Sequence, residues 1–194
     1  MDYLVKRLPP KAAGSPIYQL LEPGGAELMR AEQSAGAEPD QRRQLRLVRP
    51  NDRIAATMDL SQVTAEKKNG GNDADYAIIH DYAVYAIFGV RRRSVPDEQA
   101  GHTTYFTLEV EGGTWLILPH PESANCYAIY DEVPVGLHTY DTLTDVDLPE
   151  PFGSICRVSD DHTFEVDLSR YRLQHTSLIA LALAFLIDFV PRNA

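Results

Sequence analysis

Cysteine is scarce in this sequence, with only Cys126 and Cys156 among 194 residues. Two cysteines cannot build a disulfide framework, and neither lies in a C-x-x-C spacing that would suggest a zinc or redox site. Both sit in apolar, strand-like surroundings, so buried thiols are expected rather than a disulfide or a metal pair. The start, MDYLVKRLPP, has an apolar part too short for a secretory signal. These absences imply a reducing, cytoplasmic setting. No G-x-S-x-G, P-loop or G-x-G-x-x-G occurs, so neither a nucleophile elbow nor a nucleotide cradle is indicated. Cations are also sparse: 18 Lys and Arg face 28 Asp and Glu, a net charge of −10. Nucleic-acid binding needs clustered cations, and that class is set aside.

The charge is divided unevenly along the chain. Residues 1–93 carry a net +2, and residues 94–194 a net −12. Acidity in the second half also works against attachment to anionic lipid by charge alone.

The chain is rich in short strand-like segments separated by turn chemistry. Tyr3–Leu8, Ile17–Leu21, Glu27–Glu32, Gln44–Val48 and Arg53–Met58 come first. Tyr76–His80, Tyr82–Val90, Tyr105–Val110 and Thr114–Leu118 follow, then Cys126–Tyr130, Leu137–Thr142, Ile155–Val158 and Thr163–Leu168. Strict alternation is clearest in Tyr105–Val110, where Phe106, Leu108 and Val110 share one face. Leu21-Glu22-Pro23-Gly24-Gly25 and Val48-Arg49-Pro50-Asn51-Asp52 match in kind, suggesting two similar hairpins. Ala35–Gln41 and Glu66–Asp75 read as polar hairpin loops. About a dozen strands with tight turns indicate one all-β domain, a sandwich or barrel with antiparallel meander connections.

The last segment breaks this pattern. Ser177–Val190 reads SLIALALAFLIDFV, with Pro191 as a stop and Thr176 or Ser177 able to cap its start. It is apolar on every face, so it must be enclosed by protein or lipid. Fourteen residues rise only about 21 Å, against a hydrocarbon core of about 30 Å. A core helix inside a closed β wall is therefore expected over residues 177–190.

A meandering barrel threaded by an apolar C-terminal helix is the tubby-like architecture. Ala184-Phe185-Leu186-Ile187-Asp188-Phe189 resembles the tail of the phospholipid scramblases, and Phe164-Glu165-Val166-Asp167-Leu168 resembles the strand leading into it. LURP-one-related proteins end similarly. Tubby proteins bind phosphoinositide head groups through basic residues, and scramblases are linked to calcium-dependent lipid movement. The resemblance thus implies either a non-enzymatic binding domain or a lipid-directed protein. The Cys- and Pro-rich N-terminal region of scramblases has no counterpart here, which argues against stable membrane attachment. A shared fold does not carry the activity with it.

Candidate sites follow from residue chemistry. Arg91, Arg92 and Arg93, after the strand Tyr82–Val90, could grip a phosphate-bearing head group. They could equally be a solvated hairpin tip that keeps an edge soluble. Arg42, Arg43, Arg46 and Arg49 would add to such a patch if their strands are neighbours. Asp160, Asp161 and Asp167 could offer oxygens to calcium, at the position the scramblase resemblance implies, and so could Asp141, Asp145, Asp147 and Glu150. Neither set has EF-hand spacing, and acidic hairpin loops are common. The six histidines, His80, His102, His120, His138, His162 and His175, show no metal-ligand spacing. His80-Asp81 could be an acid/base pair, but its place between two strands reads as a turn. Asp188, on an apolar helix, needs backbone N–H groups or an arginine if buried, and is expected to anchor the helix end. No catalytic residue and no cofactor is assigned. The expected partner is a protein or small ligand, and a hydrolase-like enzyme in a β frame is the remaining alternative.

Overall fold

The computed structural model describes residues 2–9, 16–33, 44–59, 74–94, 102–111, 113–120, 122–131, 148–159, 163–168 and 175–189. It is a closed barrel of twelve antiparallel strands with one C-terminal helix. The strands are β1 Tyr3–Arg7, β2 Pro16–Leu21, β3 Glu27–Gln33, β4 Gln44–Val48, β5 Ile54–Asp59 and β6 Ala74–His80. They continue as β7 Ala83–Ser94, β8 His102–Val110, β9 Gly113–His120, β10 Ser123–Tyr130, β11 Gly153–Ser159 and β12 Thr163–Asp167. Each strand pairs with its neighbour in sequence, and β1 pairs with β12 through Tyr3↔Val166 to Lys6↔Thr163 to close the wall. Among the described residues closure removes every sheet edge, so no described strand is left free for pairing with another chain. The expected strand at Leu137–Thr142 lies outside the described residues.

The helix α1, Thr176–Phe189, runs inside this wall. From Leu178 to Asp188 no residue is more than 4% exposed. That is the burial an all-round apolar helix requires, and the strands supply the enclosing surface. Val5, Leu20, Leu45, Phe88, Phe106, Ile117, Ile129 and Phe164 point at the helix from around the barrel in one continuous core. A second cluster lies on the outer face of β8–β10, where Tyr105, Leu116, Leu118, Ala128 and Tyr130 are buried and Leu148 packs on them.

The two similar motifs are the same turn. Counted from Glu22 and from Arg49, the first residue's N–H donates to the fifth residue's carbonyl and the fourth residue's N–H donates to the first residue's carbonyl. The pairs are Glu22–Ala26 with Gly25–Glu22, and Arg49–Arg53 with Asp52–Arg49, at 2.8–3.0 Å. The fourth position is left-handed in both, at φ 86° for Gly25 and 62° for Asp52. A register shift precedes each turn, at Leu20/Leu21 and Leu47/Val48. Proline at the second position and a residue tolerant of positive φ at the fourth specify this turn with its bulge.

The wall gives the barrel two distinct ends. One carries the Glu22–Ala26, Arg49–Arg53 and Asp81-Tyr82 turns together with the helix start. The other carries the helix C-terminus and the ends of β1 and β11, where Arg7 and Arg157 lie.

Candidate functional sites at the two ends of the barrel

At the helix C-terminal end, Asp188 is 1% exposed although it is a carboxylate. The Tyr18 hydroxyl donates to its Oδ2, and Arg157 Nη2 donates to Oδ1 at 3.1 Å. Arg7 Nη1 stands 3.7 Å from Oδ2. The strands deliver these groups by simple alternation. Tyr3, Val5 and Arg7 share one face of β1, Tyr18 and Leu20 one face of β2, and Ile155 and Arg157 one face of β11. A carboxylate at the negative end of a helix dipole is unfavourable. Two guanidinium groups offset both that dipole and the desolvation. The arginines keep their outer parts in water, with side chains 30% and 36% exposed, and Arg157 also lies over the Phe164 ring at 5.3 Å. Burial first, and then the hydrogen bond to Asp188, hold the Tyr18 phenol well above the usual tyrosine range. Such a phenol stays a neutral donor near pH 7 and is no base. The site is chemically an anchor: it ties the helix end to β1, β2 and β11.

At the opposite end His80, Tyr85 and His175 form an edge-to-face cluster. The His80 and His175 ring centroids are 4.5 Å apart, and Tyr85 lies 6.0 and 5.8 Å from them. His80 Nδ1 lies 2.6 Å from the Ala55 carbonyl oxygen, which places its proton there and leaves Nε2 3.4 Å from Asp81. Burial, then the neighbouring His80 and Arg49, lower the pKa of His175. Burial, with Glu111 nearby, raises that of Tyr85. Asp81 is a turn residue at φ 48°, with its side chain 90% exposed, as the turn reading expected. His175 takes φ 69°, and its carbonyl accepts the first helical hydrogen bond, from Leu178 N–H at 2.9 Å. This cluster seats the helix start, and Tyr3 and Thr176 add a hydroxyl pair at 2.6 Å beside it. Its signal in the sequence was faint: two histidines ninety-five positions apart, each next to a strand or helix end.

The expected head-group cations are placed differently from the sequence reading. Arg91, Arg92 and Arg93 do not follow a strand; they lie within β7, paired with Tyr105, Thr104 and Thr103 of β8. The strand runs on because its partner β8 begins early, at His102. Arg91 Nη1 is bound to Asp75 Oδ1 at 2.7 Å, and its guanidinium lies over Gly89, where a Cβ would come within 2.5 Å of it. Arg46 is exposed on β4 and Arg49 in the next turn, while Arg42 and Arg43 lie outside the described residues. Of the proposed calcium ligands, Asp160 and Asp161 lie outside the described residues, as do Asp141, Asp145 and Asp147. Asp167 is half-buried on β12, and Glu150 is exposed. Among the described residues no three His, Cys, Asp or Glu side chains are grouped to hold a metal.

The cysteines correct the sequence expectation. Cys126 and Cys156 are directly opposed on β10 and β11 and are joined as a disulfide, with Cα atoms 4.1 Å apart. Both are half-buried on the outer face rather than buried as thiols. Their pairing depends on strand register, which residue composition does not reveal.

No protein-family model matches the chain, and neither a curated protein nor a solved structure matches it.

Proposed function

We propose that this chain is a non-enzymatic binding domain of the tubby-like kind, meeting its ligand on the outside of the barrel. The helix carries this reading. A twelve-stranded barrel could enclose a ligand, as smaller ones do, but here α1 occupies the interior from Leu178 to Asp188. What remains for recognition is the outer wall and the two rims. The polar groups at both ends act on the helix: Asp188 with Tyr18, Arg7 and Arg157 at one, His80 and His175 at the other. Neither set combines a nucleophile with a base, which supports binding over catalysis.

The lipid-directed, scramblase-like reading is the second one. No described helix is long and apolar enough to cross a membrane. The apolar helix is consumed by the core, and Arg91 is committed to Asp75. Co-sedimentation with vesicles of graded anionic content, with calcium or a chelator, separates the two readings. The binding-domain reading expects the protein in the supernatant throughout. Calcium-dependent recovery with lipid, lost when Asp160 and Asp161 are neutralised, would establish the lipid-directed one.

A cytoplasmic location belongs with this proposal. There the Cys126–Cys156 bond would be held as a dithiol, because cytosolic thiol systems keep such pairs reduced. Thiol trapping in freshly lysed cells tests this: alkylation of both cysteines supports a cytoplasmic location, and a protected disulfide refutes it.

A further inference from the structure

Tyr82 is fully exposed and sits at φ 63° in the two-residue turn between β6 and β7. Such a turn favours Asn or Gly, because a bulky side chain at positive φ is strained. A large aromatic is thus held in water, in a conformation it disfavours, at one rim of the barrel. Two further exposed apolar residues flank it. Ile54, 54% exposed, begins β5 on one side, and Val84, 60% exposed, is the second residue of β7 on the other. The register Thr57↔Ile79 between β5 and β6, carried to the strand ends, brings Ile54 beside this turn.

The charges on either side of the apolar trio have opposite sign. Beyond Ile54, the β4–β5 turn carries Arg49 and Arg53, both exposed. Its single acid, Asp52, is taken up by Arg30 at 2.5 Å. Beyond Val84, the turn after β8 carries the exposed Glu111, which rims a cleft of about 370 Å³ together with Val84. Asp81, in the central turn, lies against His80 at 3.4 Å. Along the rim the order is therefore cationic, apolar, anionic, with Asp81 as one exposed carboxylate inside the apolar stretch.

That order is self-complementary. A two-fold axis running radially through Tyr82 stacks two rims face to face and reverses the direction along the rim. Arg49 and Arg53 of each copy then face Glu111 of the other, and the two apolar trios meet at the axis. A two-fold interface requires such a self-matching patch. We propose that this rim is a homodimer interface, with a second copy of the chain as its occupant. Closed barrels have no edge strand to pair, so association must go through side chains, as it does here. Three apolar side chains and three charged ones make a small patch beside the roughly 800 Å² per partner of a standard interface. The dimer is accordingly weak and salt-sensitive, forming at roughly micromolar to submillimolar protein and loosening as screening increases.

Sedimentation velocity of the full chain across a concentration series tests this. The parent protein is expected to show a monomer–dimer equilibrium weakened by salt. Arg53→Glu alone and Glu111→Arg alone each put like charges in both contacts and should weaken it at least tenfold. Mixing the two single variants should restore dimers, because both contacts between positions 53 and 111 in the mixed pair are again opposite in charge. Tyr82→Gly should abolish dimers while raising the melting temperature, which separates lost association from lost folding. A monomer at all accessible concentrations, or dimers indifferent to both charge reversals, would overturn the proposal.

Discussion

The Tyr18 hydroxyl donates a hydrogen bond to Asp188 across 170 residues of sequence, joining the second strand to the last turn of the helix. Arg157 and Arg7 complete the surroundings of the same carboxylate. The partners differ in what their removal leaves behind. Asp188→Ala leaves two guanidinium groups at the barrel mouth without their counter-charge and should cost about 3–5 kcal/mol. Tyr18→Phe removes one neutral donor while the arginines remain, and should cost about 1–3 kcal/mol. Urea unfolding of the two single variants and the double variant would check this, with the double costing less than the sum. An Asp188→Ala protein as stable as its parent would show that the network does not hold the helix.

The disulfide closes a loop of sequence separation 30 between adjacent strands. In the chain-entropy account, a loop of that size stabilises by about 3–4 kcal/mol relative to the open chain. The oxidised protein should therefore melt well above both its reduced form and a Cys126→Ser, Cys156→Ser double variant. Those two should melt alike, since each lacks only the cross-link. Intact mass before and after alkylation under native conditions verifies the starting state.

His175 predicts a dependence on acid. Its folded pKa lies below the ordinary 6.5, through burial first and then through His80 and Arg49; Asp81 acts weakly the other way. The unfolded chain therefore takes up more protons in the window beneath 6.5. Stability from this group is present above that value and is lost as pH falls through the folded pKa. Protonation would also place a cation at the positive end of the helix dipole. Urea midpoints should drop between about pH 7 and about pH 5, and His175→Asn should flatten that drop. Asn also accepts the left-handed backbone at this position. A drop of equal size in the variant would assign it to other groups.

How far the sequence reveals this molecule depends on the range of the interaction. Gln44–Val48 is the strand expected from its residues to the last position, because alternation and turn chemistry are local. The twin turns were legible for the same reason. The helix was legible because its apolar surface has only two possible environments and its length rules out one. Arg91–Arg93 were misplaced because β7 continues only where β8 supports it, and that is a property of the pair. Cys126 and Cys156 read as thiols in the sequence because their meeting is a matter of register. Tyr18, Arg7 and His80 drew no attention as helix contacts, since nothing near them in sequence indicates what stands opposite. Asp188 alone announced its need, a charge inside an apolar run, without naming the residues that meet it.

The helix itself gives the most severe test. Each of its side chains from Leu178 to Ile187 is buried, and β1, β2, β3 and β12 all contact it. A single Leu183→Ala change should cost about 2–5 kcal/mol, by lost transfer energy plus the cavity left behind. Removing residues 177–194 multiplies that loss many-fold against a total stability of about 5–15 kcal/mol. The wall cannot collapse to fill the gap, because closing twelve strands fixes the diameter through their number and tilt. The truncated chain should therefore be insoluble, or a molten state that keeps β circular dichroism but binds ANS and loses the near-ultraviolet signal of buried Trp115. In the intact protein the amides of Leu181–Ile187 should be among the slowest to exchange, opening only with global unfolding. A soluble, monomeric truncation that unfolds cooperatively would mean that the strands hold the barrel without its core.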